Sequence, residues 1–227
     1  MTARTTPIAV LISGRGSNFE ALYRATQDGL LPAEIVLVLS NVPSAAGIEH
    51  ARSLGLPTAV VPSRGAGSRA AHEARVLDEI EQVGADWICL AGYMRLLSPE
   101  FVGAFPNRIL NIHPSLLPSF PGLHVQQAAL DHGVRVSGCT VHLVDAGLDS
   151  GPIVAQRAVP VRSSDDAESL GARILREEHN LYAEALRRLL LEEWRIEGRR
   201  VVFGSTAQLG PSTESAAEGL TAPPRAH

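Results

Sequence analysis

Short, continuous apolar runs alternate with stretches of helical periodicity through the first half of the sequence. The runs that predict strands cover residues 7–12, 35–39, 58–61, 87–91 and 109–112. The helical stretches between them cover residues 17–25, 45–54, 69–83 and, more briefly, 99–104. A strand that is apolar throughout has to be covered on both faces, and a parallel sheet flanked by helices provides that cover. The alternation therefore predicts an α/β fold with a mostly parallel, open sheet and helices on both of its faces.

The pattern changes after Pro121. Residues 135–144 and 152–161 form longer, partly alternating runs joined by a loop of Gly and Asp, which predicts a late antiparallel pair of strands. Residues 165–197 have the apolar spacing of one long helix, with Ser163 or Ser164 as its expected N-cap. We expect residues 1–203 to form a single domain. Residues 204–227 are rich in Ser, Thr, Ala, Gly and Pro, and we expect a disordered tail there.

The residue composition excludes several kinds of chemistry. All 20 basic residues are Arg, and the chain contains no Lys. Mechanisms that need a lysine are therefore excluded, among them Schiff bases, anchoring of pyridoxal phosphate and the GK[ST] phosphate loop. The formal net charge is −4 and no basic block is present, which disfavours a nucleic-acid partner.

Other features bear on the compartment and on metals. No apolar run approaches the length of a membrane span and none resembles a signal peptide, so we expect a cytoplasmic protein without membrane contact. Cys89 and Cys139 lie in apolar surroundings, which predicts two buried thiols in a reducing compartment. No pair of histidines has the spacing of a zinc site, and we expect no metal.

A glycine-containing loop, Ser-Gly-Arg-Gly-Ser-Asn-Phe at residues 13–19, follows the first predicted strand and opens the first helix. Glycine lets a ligand approach the backbone, and the free N–H groups of a helix N-terminus attract an anion. A dinucleotide fingerprint would need a third glycine where Phe19 stands and an acid where the second strand ends in Ser40 and Asn41. The loop therefore favours a phosphate monoester over a dinucleotide, while a purely structural turn remains an alternative.

Two further places contain residues suited to catalysis. Asn111 and His113 lie two residues apart at the end of the fifth predicted strand, so they share a face at an edge where open α/β sheets bind ligands. An amide can stabilise an oxyanion there while an imidazole moves a proton. Asp145 and Asp149 flank the turn between the late strands, and one carboxylate could reach His113 and stabilise its protonated form. Each feature alone also fits a structural role, as a satisfied histidine or a solvent-facing turn.

Four segments together resemble one enzyme family. They are VLISGRGSN, LAGYMRLLSP, LNIHPSLLPSFPG and DAGLDSGPI, and they occur in the order found in the phosphoribosylglycinamide formyltransferases of purine synthesis. The resemblance covers roughly residues 7 to 200. It implies the Rossmann-like formyltransferase fold. It also implies transfer of the formyl group of 10-formyltetrahydrofolate, a cosubstrate, to the amine of N1-(5-phospho-D-ribosyl)glycinamide.

The resemblance also implies roles for individual residues. The catalytic residues would be Asn111, His113 and Asp149. The residues that bind the acceptor would be Gly16, Ser17 and Asn18 at its phosphate, and Glu178. The residues that bind the folate would be Arg69, Met94, Arg95, Leu96, Leu97, Asn111 and Asp145. Ser119 departs from relatives that have a lysine at this point of the sequence, so a charge there has no counterpart in this chain.

The implied reaction is direct transfer through a tetrahedral intermediate with His113 as general acid and base, which agrees with a chain that lacks lysine. The partners would be small molecules, and the chain a monomer or homodimer. Four alternatives remain. A formyl-folate deformylase and a methionyl-tRNA formyltransferase are disfavoured because we expect no extension before the first strand and no basic domain after the last helix. A phosphate-binding module would leave Asn111 and His113 without a role. A nucleotide-dependent reductase would need the complete dinucleotide fingerprint, which this chain lacks.

Overall fold

A computed structural model describes residues 5–65 and 67–204. The strands are β1 (Thr6–Ile12), β2 (Ala33–Ser40), β3 (Thr58–Val60), β4 (Trp87–Leu90), β5 (Ile109–His113), β6 (Val136–Leu143), β7 (Ile153–Pro160), β8 (Trp194–Glu197) and β9 (Arg200–Phe203). The helices are α1 (Ser17–Gln27), α2 (Ala46–Ser53), α3 (Arg69–Gln82), α4 (Pro99–Ala104), α5 (Val125–Asp131) and α6 (Ala167–Leu191). The predicted strands and helices of the first half are therefore present, with small shifts of their ends.

The strands form one sheet in the order β3-β2-β1-β4-β5-β6-β7-β9-β8. The pairs from β3 to β5 are parallel, whereas β6 pairs with both β5 and β7 in antiparallel fashion. The predicted α/β class, with a parallel half and late antiparallel strands, is confirmed. The chain leaves β1 towards β2 on one side and leaves β4 towards β5 on the other. The crevice between the carboxyl ends of β1 and β4 is thus the topological switch point, where open α/β sheets bind ligands.

Alternate residues of β1 contribute to two separate cores. Ile8, Val10 and Ile12 pack in the core that also contains residues of α1, α2, α5 and α6. Ala9 and Leu11 pack in the core that contains residues of α3 and α4. This arrangement explains why the strand is apolar from Pro7 to Ile12, because both faces of the sheet are covered.

The long helical region differs from its prediction at both ends. The N-cap of α6 is Asp166, which forms a capping box with Ser169, so the expectation of Ser163 or Ser164 is wrong. The helix ends at Leu191, and the predicted extension to residue 197 is wrong because β8 and β9 form a hairpin there. Gly198 makes the turn with a φ of 59°, and Trp194 packs on Trp87 with ring centroids 6.4 Å apart.

The helix α5 was not predicted from the sequence. The expected tail falls mostly on residues 205–227, which lie outside the described residues. Gly204 is described, and its N–H donates to the carbonyl of Glu193 at 2.9 Å. Among residues 5–65 and 67–204, the structure contains no helix with both the length and the apolar character that crossing a membrane requires.

Candidate active site

The register of β5 and β6 places the site residues of the two strands side by side. Asn111 lies opposite His142, and His113 lies opposite Thr140. The Asn111 amide nitrogen is 3.1 Å from His142 Nε2, and His142 Nδ1 is 3.0 Å from the carbonyl oxygen of Leu143. Because a carbonyl only accepts, Nδ1 has the ring proton and Nε2 accepts from the Asn111 amide. One of the two amide protons of Asn111 is therefore held by His142, and the other is left for a ligand.

His142 was not identified from the sequence. Burial lowers the pKa of His142, which favours the neutral ring that this hydrogen bond requires. The available signal was the alternation of β6, which places His142 two residues after Thr140 on the same side of the strand. Its neighbour on β5 could not be identified without the register of the two strands.

His113 is held between a carbonyl and a carboxylate. Its Nε2 is 2.9 Å from the carbonyl oxygen of Phe120, and its Nδ1 is 3.5 Å from Asp149 Oδ2. Since Nε2 donates to the carbonyl, Nδ1 is the nitrogen that can take up and release a proton. The two residues that the sequence placed on separate loops are thus brought together.

Asp149 itself is fixed by its surroundings. Its Oδ2 accepts a hydrogen bond from the Gly122 N–H at 2.8 Å, and its Oδ1 lies 3.8 Å from His142 Nε2. The residue has a φ of 48°, a left-handed conformation that Asp adopts more readily than most side chains. The carboxylate is therefore directed towards both histidines by a turn and by the loop that follows β5.

The loop after β5 is held by side-chain hydroxyl and amide groups. Ser115 Oγ donates to the carbonyl of Ser119 at 2.6 Å, and Thr140 Oγ1 donates to the carbonyl of Ser115 at 2.7 Å. The side-chain amide of Gln156 donates to the carbonyl of Leu117 at 2.8 Å. These bonds set the position of the Phe120 carbonyl, and so determine the orientation of the His113 ring.

The glycine-containing loop meets α6 at a buried polar pair. Gly16 has a φ of 77°, and a Cβ there would lie 3.3 Å from the Cα of Gly47, so both its conformation and its surroundings favour glycine. The next residue begins α1, and no side chain caps its first N–H groups. Asn18 Nδ2 donates to Glu178 Oε2 at 2.7 Å, and both residues are buried. Burial raises the pKa of the Glu178 carboxyl, and the Asn18 hydrogen bond partly opposes this effect.

A groove of about 810 Å³ runs between α1 and α6 and begins beside this loop. Ser17 and Arg176 both line it, so the groove contains a residue at the start of α1 and a guanidinium. Asn111, His113 and Asp149 do not line the groove. It therefore adjoins the site on the side of the glycine-containing loop.

The other side of the site is apolar and exposed. We call four side chains the apolar rim: Met94, Leu96, Leu123 and Leu148, which are 52–71% exposed. They belong to the segments after β4, after β5 and between β6 and β7. Single exposed apolar residues are ordinary, but a concentration of them beside polar groups is typical of a ligand-binding surface.

The remaining predicted binding residues have different environments. Arg69 donates to the carbonyl of Leu96 at 2.8 Å and to Glu73 at 3.0 Å, so its guanidinium lies at the apolar rim. Arg95 is half-buried on the same segment, whereas Leu97 is buried in the core beside α4. Asp145 accepts hydrogen bonds from Gly147 N and Ser150 Oγ, at 3.0 and 2.6 Å, and so stabilises its own turn.

Comparison with known proteins gives a consistent result. The chain matches the sequence model of the family described as formyl transferase over residues 6–186. It is 45% identical over 192 residues to the trifunctional purine biosynthetic protein adenosine-3 of Drosophila melanogaster, a match that covers 84% of this chain and 14% of that protein. It is 39% identical over 202 residues to the phosphoribosylglycinamide formyltransferase of Escherichia coli (strain K12), with 89% and 92% covered.

A solved structure is similar as well. Glycinamide ribonucleotide transformylase 1 from Symbiobacterium toebii superposes with a TM-score of 0.86 at 47% identity, covering 89% of this chain and 95% of that one. The chain spans only 13–19% of the length of the trifunctional relatives that it matches.

Proposed function

The chain belongs to the formyl transferase family, and from that premise we propose that it transfers the formyl group of 10-formyltetrahydrofolate to the amine of N1-(5-phospho-D-ribosyl)glycinamide in purine synthesis. The products are the N-formyl compound and tetrahydrofolate. The observation that carries this proposal is the position of Asn111, His113 and Asp149 between two unlike surfaces. One is polar, with Asn18 and Glu178 paired beside the start of α1, and the other is the apolar rim.

The chemistry follows from the two histidine environments. The neutral amine attacks the formyl carbon, and the carbonyl electron pair moves to oxygen, where the free amide proton of Asn111 stabilises the negative charge. The bond between the formyl carbon and N10 then breaks, and N10 takes a proton from Nδ1 of His113. The proton lost by the attacking amine returns to Nδ1 directly or through water. Asp149 stabilises the protonated ring throughout.

The acceptor binds on the side of the glycine-containing loop in this proposal. Its phosphate accepts hydrogen bonds from the free N–H groups at Gly16, Ser17 and Asn18, because the start of a helix favours an anion. Arg176, which shares the groove with Ser17, adds a positive charge in a chain without lysine. Glu178 accepts from a polar group of the acceptor while it keeps its hydrogen bond from Asn18.

The folate binds on the side of the apolar rim. A flat heterocycle covers apolar side chains that are otherwise in water, which favours binding at roughly 25 cal/mol for each Å² removed from water. The folate contacts Met94, Leu96 and the backbone around Leu97, which belong to the segment after β4. Arg69 and Arg95 lie on this side and can bind the folate carboxylates. Asp145 acts by holding the turn that contains Leu148 and Asp149.

One assay tests the proposal directly. The purified chain is incubated with 10-formyltetrahydrofolate and the phosphorylated acceptor, and the N-formyl product and tetrahydrofolate are measured. We expect both products in equal amounts, and a far poorer reaction with the acceptor that lacks its phosphate. Release of formate without any need for the acceptor would show a deformylase instead. Equal rates with both acceptors would show that the glycine-containing loop does not bind the phosphate.

A further inference from the structure

We propose that Ser13 is a positioning residue for the folate side of the site, because its hydroxyl fixes the backbone of the segment at residues 92–97. The inference rests on the proposed function for the identity of the ligand, but its structural part can be tested separately. Ser13 is the residue directly after β1 and lies at the switch point, across the crevice from the end of β4.

Ser13 makes three hydrogen bonds that leave no freedom in the direction of its hydroxyl. Its backbone N–H donates to the carbonyl of Gly92 at 3.1 Å. Its Oγ accepts from the N–H of Met94 at 2.8 Å and donates to Asn41 Oδ1 at 2.5 Å. A hydroxyl has one proton, and Asn41 takes it, so a lone pair of Oγ faces Met94. Ser13 therefore binds the turn on both sides of Tyr93.

The topology explains why this link matters. The regular pairing of β1 with β4 ends at Leu11 and Leu90, with one more bond from Ala91 N to the Leu11 carbonyl. Beyond that point the two loops leave the sheet in opposite directions, as they must at a switch point. Within the described part of the chain, the hydrogen bonds that join the two loops beyond Ala91 are those of Ser13.

Asn41 is a suitable fixed partner for the hydroxyl. It follows β2, is only 7% exposed, and its carbonyl accepts from the N–H of Ser63 at 3.3 Å. Its side-chain nitrogen faces Ser63 Oγ at 3.5 Å. The carboxamide is thus held by the neighbouring loop and keeps its oxygen directed at Ser13.

The far end of the segment is held by different residues. Arg69 donates to the carbonyl of Leu96, and Glu73 accepts from the N–H of Ser98 at 3.1 Å. Both belong to α3, on the other side of the segment from Ser13. Removing the Ser13 hydroxyl therefore frees the Met94 end alone, and that end has the exposed Met94 side chain of the apolar rim.

The test is Ser13→Ala. We expect the KM for 10-formyltetrahydrofolate and the Kd for tetrahydrofolate to rise roughly 3- to 10-fold, as expected for one hydrogen bond. The kcat and the KM for the acceptor should stay within about twofold of wild type, since the catalytic groups and the acceptor side keep their contacts. Amide hydrogen exchange at residues 92–96 should become faster, which is a readout that needs no ligand.

Three further variants make the result specific. Ser40→Ala is the matched control, because within residues 5–65 and 67–204 that buried hydroxyl at the end of β2 bonds to the N–H and carbonyl of Val42 alone, each at 3.0 Å. It should leave the folate KM and the exchange at residues 92–96 unchanged. Ser13→Thr keeps the hydroxyl and should restore the folate KM. Asn41→Ala removes the orienting acceptor and should have an effect between those of wild type and Ser13→Ala.

The outcomes separate the inference from the proposed function. Equal rises in both KM values, or unchanged exchange at residues 92–96 in Ser13→Ala, would overturn the positioning role. So would a well-folded Ser13→Thr protein that behaves like Ser13→Ala. If the wild-type chain neither transfers the formyl group nor binds tetrahydrofolate, the proposed function fails. Faster exchange in Ser13→Ala but not in Ser40→Ala would then still support the structural link.

Discussion

The two sides of the site, proposed for the acceptor and for the folate, differ in polarity and in exposure to water. On the acceptor side, Asn18 and Glu178 are buried and already bonded to each other, and α1 starts with free N–H groups. On the folate side, Met94 and Leu96 stand with more than half of their surface in water. The first surface is polar and preformed, and the second is apolar and uncovered.

The difference follows from what each kind of group costs when it is buried. A buried polar group is costly without a partner, and Asn18 Nδ2 pairs with Glu178 Oε2, whereas Asn18 Oδ1 has no partner among the described residues. Exposed apolar groups cost less to leave in water, and the area they lose on binding contributes to affinity. The acceptor side should therefore act through specific atoms, and the folate side through area. Substitutions that separate the two substrates test this contrast.

His113 belongs to neither side and should give the largest effect. We expect His113→Ala to lower kcat by roughly 100-fold or more, because it removes the nitrogen that moves the proton. Both KM values should change much less. His132→Ala is the control, since that ring contacts Phe120 from outside the site, with centroids 5.3 Å apart. The measurement is the steady-state rate with each substrate varied in turn. Near-normal turnover of a folded His113→Ala protein would contradict the proposed proton transfer by His113.

Glu178→Gln should separate the acceptor from the folate. We expect the acceptor KM to rise roughly 10-fold from loss of a hydrogen bond to a charged group, with the folate KM unchanged. The same variant should have a higher Tm at neutral pH. Burial raises the pKa of Glu178, so the charge is a cost to the folded state once the pH is above that pKa. A folate KM that rises as much as the acceptor KM would contradict the division into two sides.

Leu96→Ser should have the complementary effect. Placing a hydroxyl at the apolar rim should raise the folate KM by roughly 3- to 10-fold and leave the acceptor KM within about twofold. Leu191→Ser is a matched control, because Leu191 is 57% exposed, against 52% for Leu96, and lies at the end of α6. An equal change in both variants would mean that the effect is on solubility or stability rather than on folate.

The smallest effect should be a pH dependence centred on His142. Burial lowers its pKa from the usual 6.5, so the folded state binds this proton less readily than the unfolded state. Its contribution to stability is complete above pH 6.5 and is lost as the pH falls through 6.5 towards the lowered value. Burial lowers the pKa of His179 as well, so His142→Asn should reduce the acid loss without abolishing it.

Urea unfolding between pH 7.5 and pH 5 measures this dependence. The wild-type free energy of unfolding should fall faster in acid than that of His142→Asn. Protonation of His142 in the folded state also removes the acceptor for the Asn111 amide, so the wild-type kcat should begin to fall at a lower pH than the stability does, near the lowered pKa. A variant with the wild-type slope would show that His142 does not titrate there.

Much of the fold could be predicted from local pattern, and the errors have physical causes. The continuous apolar runs predicted β1 to β5 because buried strands need apolar residues on both faces, and partly alternating runs predicted β6 and β7. The strand β9 was not predicted, and the strand β8 was assigned to the long helix at residues 165–197. Its packing on Trp87, far away in the sequence, decides for the strand. Within the site, Asp149 lies 3.5 Å from His113 as the motifs suggested, whereas His142 was missed.

The sequence by itself determined the βα alternation, the two-sided burial of the parallel strands and the need for glycine before α1. These features depend on propensity and periodicity, which act over a few residues. Only the tertiary structure decided which groups meet. Asn111 finds His142 through the register of β5 and β6, and Asn18 finds Glu178 across 160 residues of chain. Strand order and register set those distances, because a shift of one residue would turn His142 to the other face of the sheet.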